Sequence, residues 1–211
     1  MTIRPGDEWG APAVLPEGAP IADSDAALHE IVGRWIRGHD DDGPAMGPIG
    51  LTGGSLWRTM GQPSGGAERL ASGGTGAPVD VATVLLDGRV GHFVTHLVAR
   101  RRGPLGWWRG PVLVLMNAEY LGDWDVATRG HPNDGRVDLF AGDLSLGDRW
   151  KARRRLPTGG HVPHPGITER RVKGHTERLP RGTHVWLDGL PQGPVTDLAV
   201  QVRPDALNVI V

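Results

Sequence analysis

The sequence predicts an α+β protein, in which a small α/β part (residues 1–75) precedes an antiparallel β-sandwich (residues 76–211). Residues 28–36 carry apolar side chains at helical spacing, whereas residues 79–83 alternate apolar and polar side chains as a half-buried strand does. The stretch 64–78 is rich in glycine and predicts a linker between the two parts. The chain holds 33 glycines and 18 prolines, a content that favours many short strands and turns over long helices.

The first part is predicted to contain one long helix and one short strand. Leu28, Ile31, Val32, Trp35 and Ile36 form the apolar face of the helix. Asp23, Ser24 or Asp25 is expected to cap its start, and Gly38 marks its end. A short apolar strand at residues 49–51 follows, and a glycine turn then leads into a brief helix.

The second part is predicted to be built from strands around one helix. A turn at Asp87–Gly88 joins strands at residues 79–86 and 89–100 in a hairpin. The helix covers residues 145–156 and ends in three arginines, which its dipole favours at that end. Further strands are predicted at residues 112–116, 137–140, 167–172, 184–187, 198–202 and 207–211, the last two joined by a turn at Pro204–Asp205. Short strands with regular turn signals favour a sandwich.

Charge and composition narrow the class of partner. A net charge of −1 gives no reason to expect nucleic acid. The absence of cysteine excludes disulfides and thiolate metal sites. The sequence has no basic-then-apolar leader and no run of 18 apolar residues, so we expect a cytoplasmic protein, which would be a peripheral membrane protein if it binds lipid.

One segment carries a family resemblance. Residues 117–140, NAEYLGDWDVATRGHPNDGRVDLF, resemble the N-x4-G-x3-A-P-x-A-x2-D-D-G-x-L-D segment of the bacterial diacylglycerol kinase and sphingosine kinase family. Residues 160–167 (GHVPHPGI) and 185–189 (VWLDG) follow in the order of that family's C-terminal β-domain. The resemblance covers roughly the last two thirds of the chain. It implies a lipid-kinase-like β-domain, preceded by a remnant of a nucleotide-binding domain.

The family's nucleotide-binding motifs have weaker counterparts upstream. In the place of its G-G-D-G-T loop, Asp25 matches the aspartate, which the resemblance makes the candidate catalytic residue, while Asp23, Ser24 and Ala26 replace glycines. In the place of its G-T-G-N-D element the chain has Thr52, Gly53, Gly54 and Ser55, the candidate cofactor-binding residues. Leu190 stands where the family's D-G-E motif has its glutamate. Because the sequence starts close to the first motif, we expect the opening strand–helix units of that domain to be missing.

The replaced motif residues bear on whether the protein is catalytic. Phosphoryl transfer needs backbone amides close to the phosphates and carboxylates that hold Mg²⁺ or accept the hydroxyl proton. Several such groups are replaced together, so we expect a truncated, degenerate and non-catalytic relative that binds a lipid, nucleotide or protein partner and needs no cofactor. The alternative is an ATP-dependent lipid kinase of the diacylglycerol type, using Mg-ATP, that is divergent or completed by a partner chain. A homodimer formed through sheet edges is a third hypothesis.

Metal binding has three candidate residues. Asn133, Asp134 and Asp138 fall on the family's D-D-G-x-L-D turn, which in some members helps to bind a structural Mg²⁺. Asn133 replaces the first acid, which lowers the negative charge offered to a hard cation, and a tight turn ordered by Asp side chains is the simpler interpretation. The run Asp40–Asp42 lacks further spaced oxygen ligands and predicts a solvated turn.

The histidine pairs do not predict a metal site. His92 and His96, on one predicted strand, would lie about 13 Å apart, too far to coordinate one ion. His161 and His164 match a structural H-x-x-H-P signature of the family.

A second candidate site lies at a predicted hairpin tip. Arg101, Arg102, Trp107, Trp108 and Arg109 combine indoles with arginines, a composition that suits the headgroup layer of an anionic membrane. Indoles buried beneath the hairpin with the arginines in water are the alternative explanation of the same residues.

Overall fold

The computed structural model describes residues 9–38 and 45–211, so the predicted turn at Asp40–Asp42 lies outside the described residues. In chain order the strands are β1 (Ala11–Ala13), β2 (Ile21–Ala22), β3 (Met46–Leu51), β4 (Gly74–Leu86), β5 (Arg89–Phe93), β6 (His96–Arg101), β7 (Val112–Met116), β8 (Tyr120–Leu121), β9 (Trp124–Asp125), β10 (Val137–Gly142), β11 (Ile167–Val172), β12 (Gly174–Arg178), β13 (Thr183–Leu187), β14 (Leu190–Pro194) and β15 (Asp197–Ile210). The helices are α1 (Asp25–Ile36), α2 (Gly54–Thr59), α3 (Gly66–Ser72) and α4 (Leu146–Arg155).

Helix α1 forms as predicted. Ser24 is its N-cap and accepts a hydrogen bond from the amide of Ala27 at 3.3 Å, and the helix ends at Ile36. Leu28 and Val32 are buried in a core that also contains apolar residues of β3, β4 and β15. The helical periodicity therefore located both the helix and its buried face.

The first sheet joins the two predicted parts. Its strand order is β1–β4–β15–β3–β2, with β5 on β4 and β12 on β15. Strand β3 lies parallel to β2 and to the C-terminal half of β15, so β2, α1 and β3 form a βαβ unit at one side of two long antiparallel strands. The predicted boundary at residue 75 falls at the start of β4, and the division of the chain into two domains stays a prediction.

The second sheet is wholly antiparallel, in the order β11–β10–β7–β6–β13–β14. Apolar residues of both sheets share one core, among them Phe93, Leu115, Val185 and Leu198. The predicted α+β class is confirmed. None of the helices in the described ranges is long and apolar enough to cross a membrane.

Three sequence-based expectations about the elements were wrong. The predicted linker at 64–78 contains α3 and the start of β4, because Leu70 is an apolar anchor that is only 1% exposed. The predicted strand 89–100 is divided into β5 and β6, which belong to different sheets. The predicted C-terminal hairpin is the single strand β15, whose bulge lies between Arg203 and Leu207 and whose two halves both pair with β4.

Candidate functional site

Asp25 and the glycine turn meet where α1 and α2 begin. The carboxylate of Asp25, the first residue of α1, accepts a hydrogen bond from the Ser55 amide at 2.7 Å and another from the Ser55 hydroxyl at 2.6 Å. The N-cap of α2, Gly53, makes no side-chain cap of its own. The carboxylate of Asp25 therefore caps α2, and it joins the two stretches that the sequence aligned with separate nucleotide-binding motifs.

The two glycines of this turn are required by close packing. A Cβ at Gly53 would overlap the carbonyl oxygen of Asp23. Gly54 has a φ of +90°, and a Cβ there would lie 2.7 Å from a carboxylate oxygen of Asp25. The amide of Thr52 donates to the carbonyl of Ala22, at the end of β2, at 2.9 Å. All four candidate cofactor-binding residues thus lie beside Asp25, in a turn without room for added side chains.

Burial controls the ionisation of Asp25. It raises the pKa of this carboxyl, while the hydrogen bonds from Ser55 and the neighbouring His96 ring lower the pKa and offset part of the effect. His96 Nδ1 lies 3.9 Å from an Asp25 oxygen. The net result is a pKa above the ordinary aspartate value.

An open cavity of about 380 Å³ adjoins Asp25. Helix α2 lines it, and Arg58 links that helix to the β8–β9 hairpin through the Gly122 carbonyl at 2.9 Å and Asp123 at 3.2 Å. The Arg58 guanidinium also lies 4.4 Å from the centroid of the Tyr120 ring. We call this cavity the Asp25 cleft; it offers a carboxylate and an already paired guanidinium to a small polar ligand.

Beside the cleft, Asp188 is fully buried between the two sheets. Its oxygens accept hydrogen bonds from the amides of Val94, Thr95 and His96 at 2.8–3.0 Å and from the Thr95 hydroxyl at 2.7 Å. His29 Nδ1 lies 3.0 Å from Oδ2, the oxygen that also accepts from the Val94 amide. Burial alone would raise the pKa of Asp188, but the hydrogen bonds from His29 and Thr95 and the His96 charge outweigh it and lower the pKa.

The histidines that the sequence placed about 13 Å apart on one strand meet around Asp188. The chain turns between β5 and β6 at Val94–Thr95, so His92 and His96 belong to different sheets. The ring of His92 stacks on that of His29, with the centroids 4.1 Å apart. We call His29, His92, Thr95, His96 and Asp188 the histidine cluster. The sequence did not predict these residues as a unit, although the Asp188–Gly189 match to the family's D-G-E motif contains the central carboxylate of the cluster.

The candidate metal residues have protein partners. Arg171 forms ion pairs with both Asp134 and Asp138, the latter at 3.3 Å. The Asn133 amide nitrogen donates to the Pro78 carbonyl at 2.6 Å and lies 3.2 Å from an oxygen of Asp205. Within residues 9–38 and 45–211, no group of three or more His, Asp or Glu residues is arranged to hold a metal ion. The geometry of these three residues is that of an ordered turn neutralised by an arginine.

The tryptophan–arginine segment packs beside α4 and over the second sheet. Trp107 meets Trp124 edge-on at 5.3 Å, and the Arg100 guanidinium lies between Trp107 and Trp186. Arg101, Arg102 and Arg109 are exposed, whereas Trp107 and Trp108 are half-buried. We call residues 101–110 together with α4 the tryptophan–arginine face.

An apolar cavity of about 140 Å³ lies under this face. Its walls are mainly aromatic and aliphatic, and they include Trp107, Trp108, Val114, Trp124, Phe140 and Leu156. His161 also lines it, and both ring nitrogens of this buried side chain lack a hydrogen-bond partner in the described part of the chain. Burial lowers the pKa of His161 and favours its neutral form.

Arg149 fastens α4 to the loop below it. Its guanidinium donates to the carbonyls of Leu144, Trp107 and Gly110 and pairs with Asp143 at 2.7 Å. The side chain is buried, which the sequence did not reveal, because Arg149 stands in a helix with four other basic residues. The cavity and its rim therefore depend on one internal arginine.

Comparison with known proteins supports the fold. No protein-family model and no curated protein matches the sequence. A Bacillus anthracis strain Sterne protein provisionally assigned as a diacylglycerol kinase aligns over 90% of this chain and 76% of its own, with a TM-score of 0.62 and 13% identity. A second structure of such a protein from the same organism aligns over the same shares, with a TM-score of 0.61 and 14% identity. The chain thus has the fold of diacylglycerol-kinase-like lipid kinases.

Proposed function

We propose that this protein binds an amphipathic lipid at the tryptophan–arginine face and does not transfer a phosphoryl group. The observation that carries the proposal is the apolar cavity of about 140 Å³ beneath that face. A cavity of roughly 150 Å³ with apolar walls is large enough for a benzene-sized group. The part of the ligand held inside is therefore a short hydrocarbon segment, and the rest lies at the surface.

The exposed apolar side chains of the tryptophan–arginine face support a lipid rather than a soluble metabolite. Leu105, Leu146 and Trp150 are all more than half exposed, at 55%, 56% and 53%. Exposed large apolar side chains grouped at one face are typical of membrane or partner contacts. The names of the two structural neighbours denote kinases of a lipid, which agrees with this ligand class.

The charges of the same face favour an anionic lipid surface. Six arginines of the face are exposed: Arg101, Arg102, Arg109, Arg153, Arg154 and Arg155. The Arg153 guanidinium lies 4.8 Å from the centroid of Trp124, and that of Arg154 lies 4.7 Å from the centroid of Trp150. Each arginine near an anionic bilayer contributes about 1 kcal/mol, and indoles favour the headgroup layer.

The Asp25 cleft supports the absence of phosphoryl transfer. The carboxylate of Asp25 already accepts two hydrogen bonds from Ser55 at the start of α2, where the amide would otherwise be available to a phosphate oxygen. Leu190 has no group that can hold Mg²⁺ or take a proton. In this proposal Asp25 is a structural residue, the protein needs no cofactor, and lipid binding makes it peripheral to a membrane.

Vesicle pelleting tests the lipid-binding half of the proposal. We expect the wild type to sediment with vesicles that contain phosphatidylglycerol and to stay in solution with pure phosphatidylcholine. Changing Leu105 and Trp150 together to serine should weaken the binding at least tenfold, because two exposed apolar anchors are removed. Val90→Ser, which removes a side chain that is 76% exposed on β5, is the matched control and should bind normally.

Two outcomes contradict lipid binding at this face: a wild type that does not sediment with anionic vesicles, and a double variant that sediments as the wild type does. The Trp107→Ala/Trp108→Ala variant extends the test to the cavity wall. Its folding is checked by circular dichroism, because Trp107 also packs on Trp124.

Thermal denaturation with Mg-ATP tests the second part of the proposal, that the protein does not transfer a phosphoryl group. A ligand at a hundred times its Kd stabilises a protein by about 2.7 kcal/mol, which raises Tm by several degrees. We expect no rise. A clear rise, together with transfer of labelled phosphate to diacylglycerol, would replace this proposal by the kinase alternative with Asp25 as the base.

A further inference from the structure

The histidine cluster joins three elements that are distant in sequence. His29 lies on α1, His92 on β5, and Asp188 in the turn between β13 and β14. The His29 and His92 rings stack with 15° between their planes, and His92 Nε2 lies 3.1 Å from the carbonyl oxygen of His29. Because a carbonyl oxygen can only accept a hydrogen bond, Nε2 of His92 is the donor in this contact. Besides its apolar core, α1 therefore contacts the second half of the molecule through two adjacent imidazoles.

Helix α1 approaches the His92 ring closely. A Cβ at Gly33 would lie 3.0 Å from Cε1 of His92, so a larger residue there would press on the ring. The helix therefore packs directly against the ring at Gly33.

The cluster offers one carboxylate to two imidazoles. Asp188 faces His29 directly, while the amides of Val94, Thr95 and His96 occupy its remaining acceptor positions. The other acid nearby is Asp25, whose oxygens are hydrogen-bonded to Ser55.

The charged groups that act on His92 differ in sign: Asp188 favours a proton on its ring, whereas His29 and Arg37 disfavour it. From β6, the His96 ring of the same cluster contacts the Thr95 hydroxyl through Nδ1 at 3.0 Å. From the end of α1, Arg37 acts on His92 through its charge, and from β15, Arg203 lines the same small cavity as His92. A proton on His92 is thus disfavoured, and burial, followed by the charge of His29, lowers its pKa.

We propose that this stacked pair is a pH-sensitive joint, which loosens the packing of α1 on β5 in mildly acidic solution when the buried His92 ring takes up a proton. At a ring separation of 4.1 Å, the charge of His29 opposes a proton on His92, and the Asp188 carboxylate is already engaged by His29 and by three backbone amides. Release lets the His92 imidazolium reach water.

Opening of the joint would change the Asp25 cleft. Helix α1 begins at Asp25, whose carboxylate caps α2 through Ser55. A displaced α1 withdraws that carboxylate and uncovers the first amides of α2. The joint is independent of lipid binding, because the tryptophan–arginine face lies on the outer side of the second sheet and contains none of the cluster residues.

Hydrogen exchange of the intact protein, followed by mass spectrometry at pH 7.5 and pH 5.5, tests the joint. After correction for the intrinsic exchange rate, protection of the α1 amides in the wild type should fall at least tenfold at the lower pH. His92→Gln keeps a donor for the His29 carbonyl but cannot be charged, so its α1 protection should change less than twofold. His184→Gln, a histidine of β13 outside the cluster, is the matched control and should respond as the wild type does.

Equal protection of the α1 amides in the wild type at both pH values would overturn the proposal without any variant. A loss in His92→Gln as large as that of the wild type overturns it too. His29→Gln is a second uncharged variant, which keeps a donor for Asp188 and tests the other ring if His92→Gln is poorly packed. Equal pH responses of both variants and the wild type would assign the loss to other groups.

Discussion

At the scale of single residues, the carboxylate of Asp188 holds together parts of the chain that are far apart in sequence. It contacts His29, 159 residues away, and the amides of Val94, Thr95 and His96. A charged acceptor surrounded by donors is strongly stabilised, and removal of its charge leaves those donors poorly satisfied. The backbone at Asp188 has a φ of +49°, which asparagine also tolerates.

We therefore expect Asp188→Asn to lower the free energy of unfolding by about 2–4 kcal/mol without disturbing the turn. Urea denaturation at pH 7.5 measures the change. Asp197→Asn, at an exposed position on β15, is the control and should stay within about 0.5 kcal/mol of the wild type. Equal stability of the two variants would mean that the Asp188 charge contributes nothing.

Asp80 predicts a pH dependence of stability. Burial raises the pKa of this carboxyl from 3.8 to about 6, although the amides of Gly135 and Asp205 donate to it and lower the pKa in part. The folded state therefore binds a proton more tightly than the unfolded state. The resulting stability is fully present below pH 3.8 and is lost as the pH rises through about 6.

The comparison with Asp80→Asn isolates this effect from that of the histidines. Between pH 4 and pH 7, the wild type should lose roughly 2 kcal/mol more of its unfolding free energy than the variant does. Urea denaturation at several pH values provides the two curves. Parallel curves would show that Asp80 does not titrate differently in the folded and unfolded states.

At the scale of elements, α4 depends on one internal arginine rather than on an apolar face. Its residues are mostly exposed, and Arg149 is the buried one. The guanidinium satisfies three carbonyl oxygens of the neighbouring loops. This explains how a helix with few apolar contacts covers a cavity.

Arg149→Gln should lower the unfolding free energy by about 2–4 kcal/mol, because a glutamine cannot reach all the carbonyls and leaves some of them unpaired. Urea denaturation followed by tryptophan fluorescence measures the loss. Lys151→Gln, on the exposed side of the same helix, should change stability by less than about 0.5 kcal/mol. A fall in binding to anionic vesicles would accompany the loss if α4 covers the lipid site.

At the scale of the whole molecule, β4 and β15 pair with strands of both predicted parts. The N-terminal end of β4 pairs with β1, and the C-terminal end of β15 pairs with β3. The C-terminal end of β4 pairs with β5, and the N-terminal end of β15 pairs with β12. Val79, Leu207 and Val209 are fully buried beneath the first part. Removal of residues 1–75 would expose these side chains, at a cost of about 1.5–3 kcal/mol for each.

A chain of residues 76–211 alone should therefore show no cooperative urea unfolding transition, whereas the intact chain should show a single one. Far-UV circular dichroism and tryptophan fluorescence should report the same midpoint for the intact chain. A cooperative transition in the shortened chain would instead establish residues 76–211 as an independent domain.

The sequence predicted what neighbouring residues encode. The caps of α1 and α4, Ser24 and Ser145, lie where polar residues precede a helical pattern, and both helices begin one residue later. The strands at β7 and β11 were placed from local apolar content and turn signals. Helix caps, periodicity and turns depend on residues a few positions apart, so the α+β class was accessible without coordinates.

The sequence did not predict which residues pair with one another when they are far apart along the chain. Two predicted strands form the single strand β15, because both halves pair with β4. Residues 89–100 form two strands, because the amides between them donate hydrogen bonds to the Asp188 carboxylate. Sequence alone thus determined the class, helices α1, α2 and α4 and the family resemblance of this chain. Only the tertiary structure decided that His29, His92 and Asp188 meet and that Arg149 is buried, since such contacts depend on the packing of residues that are distant along the chain.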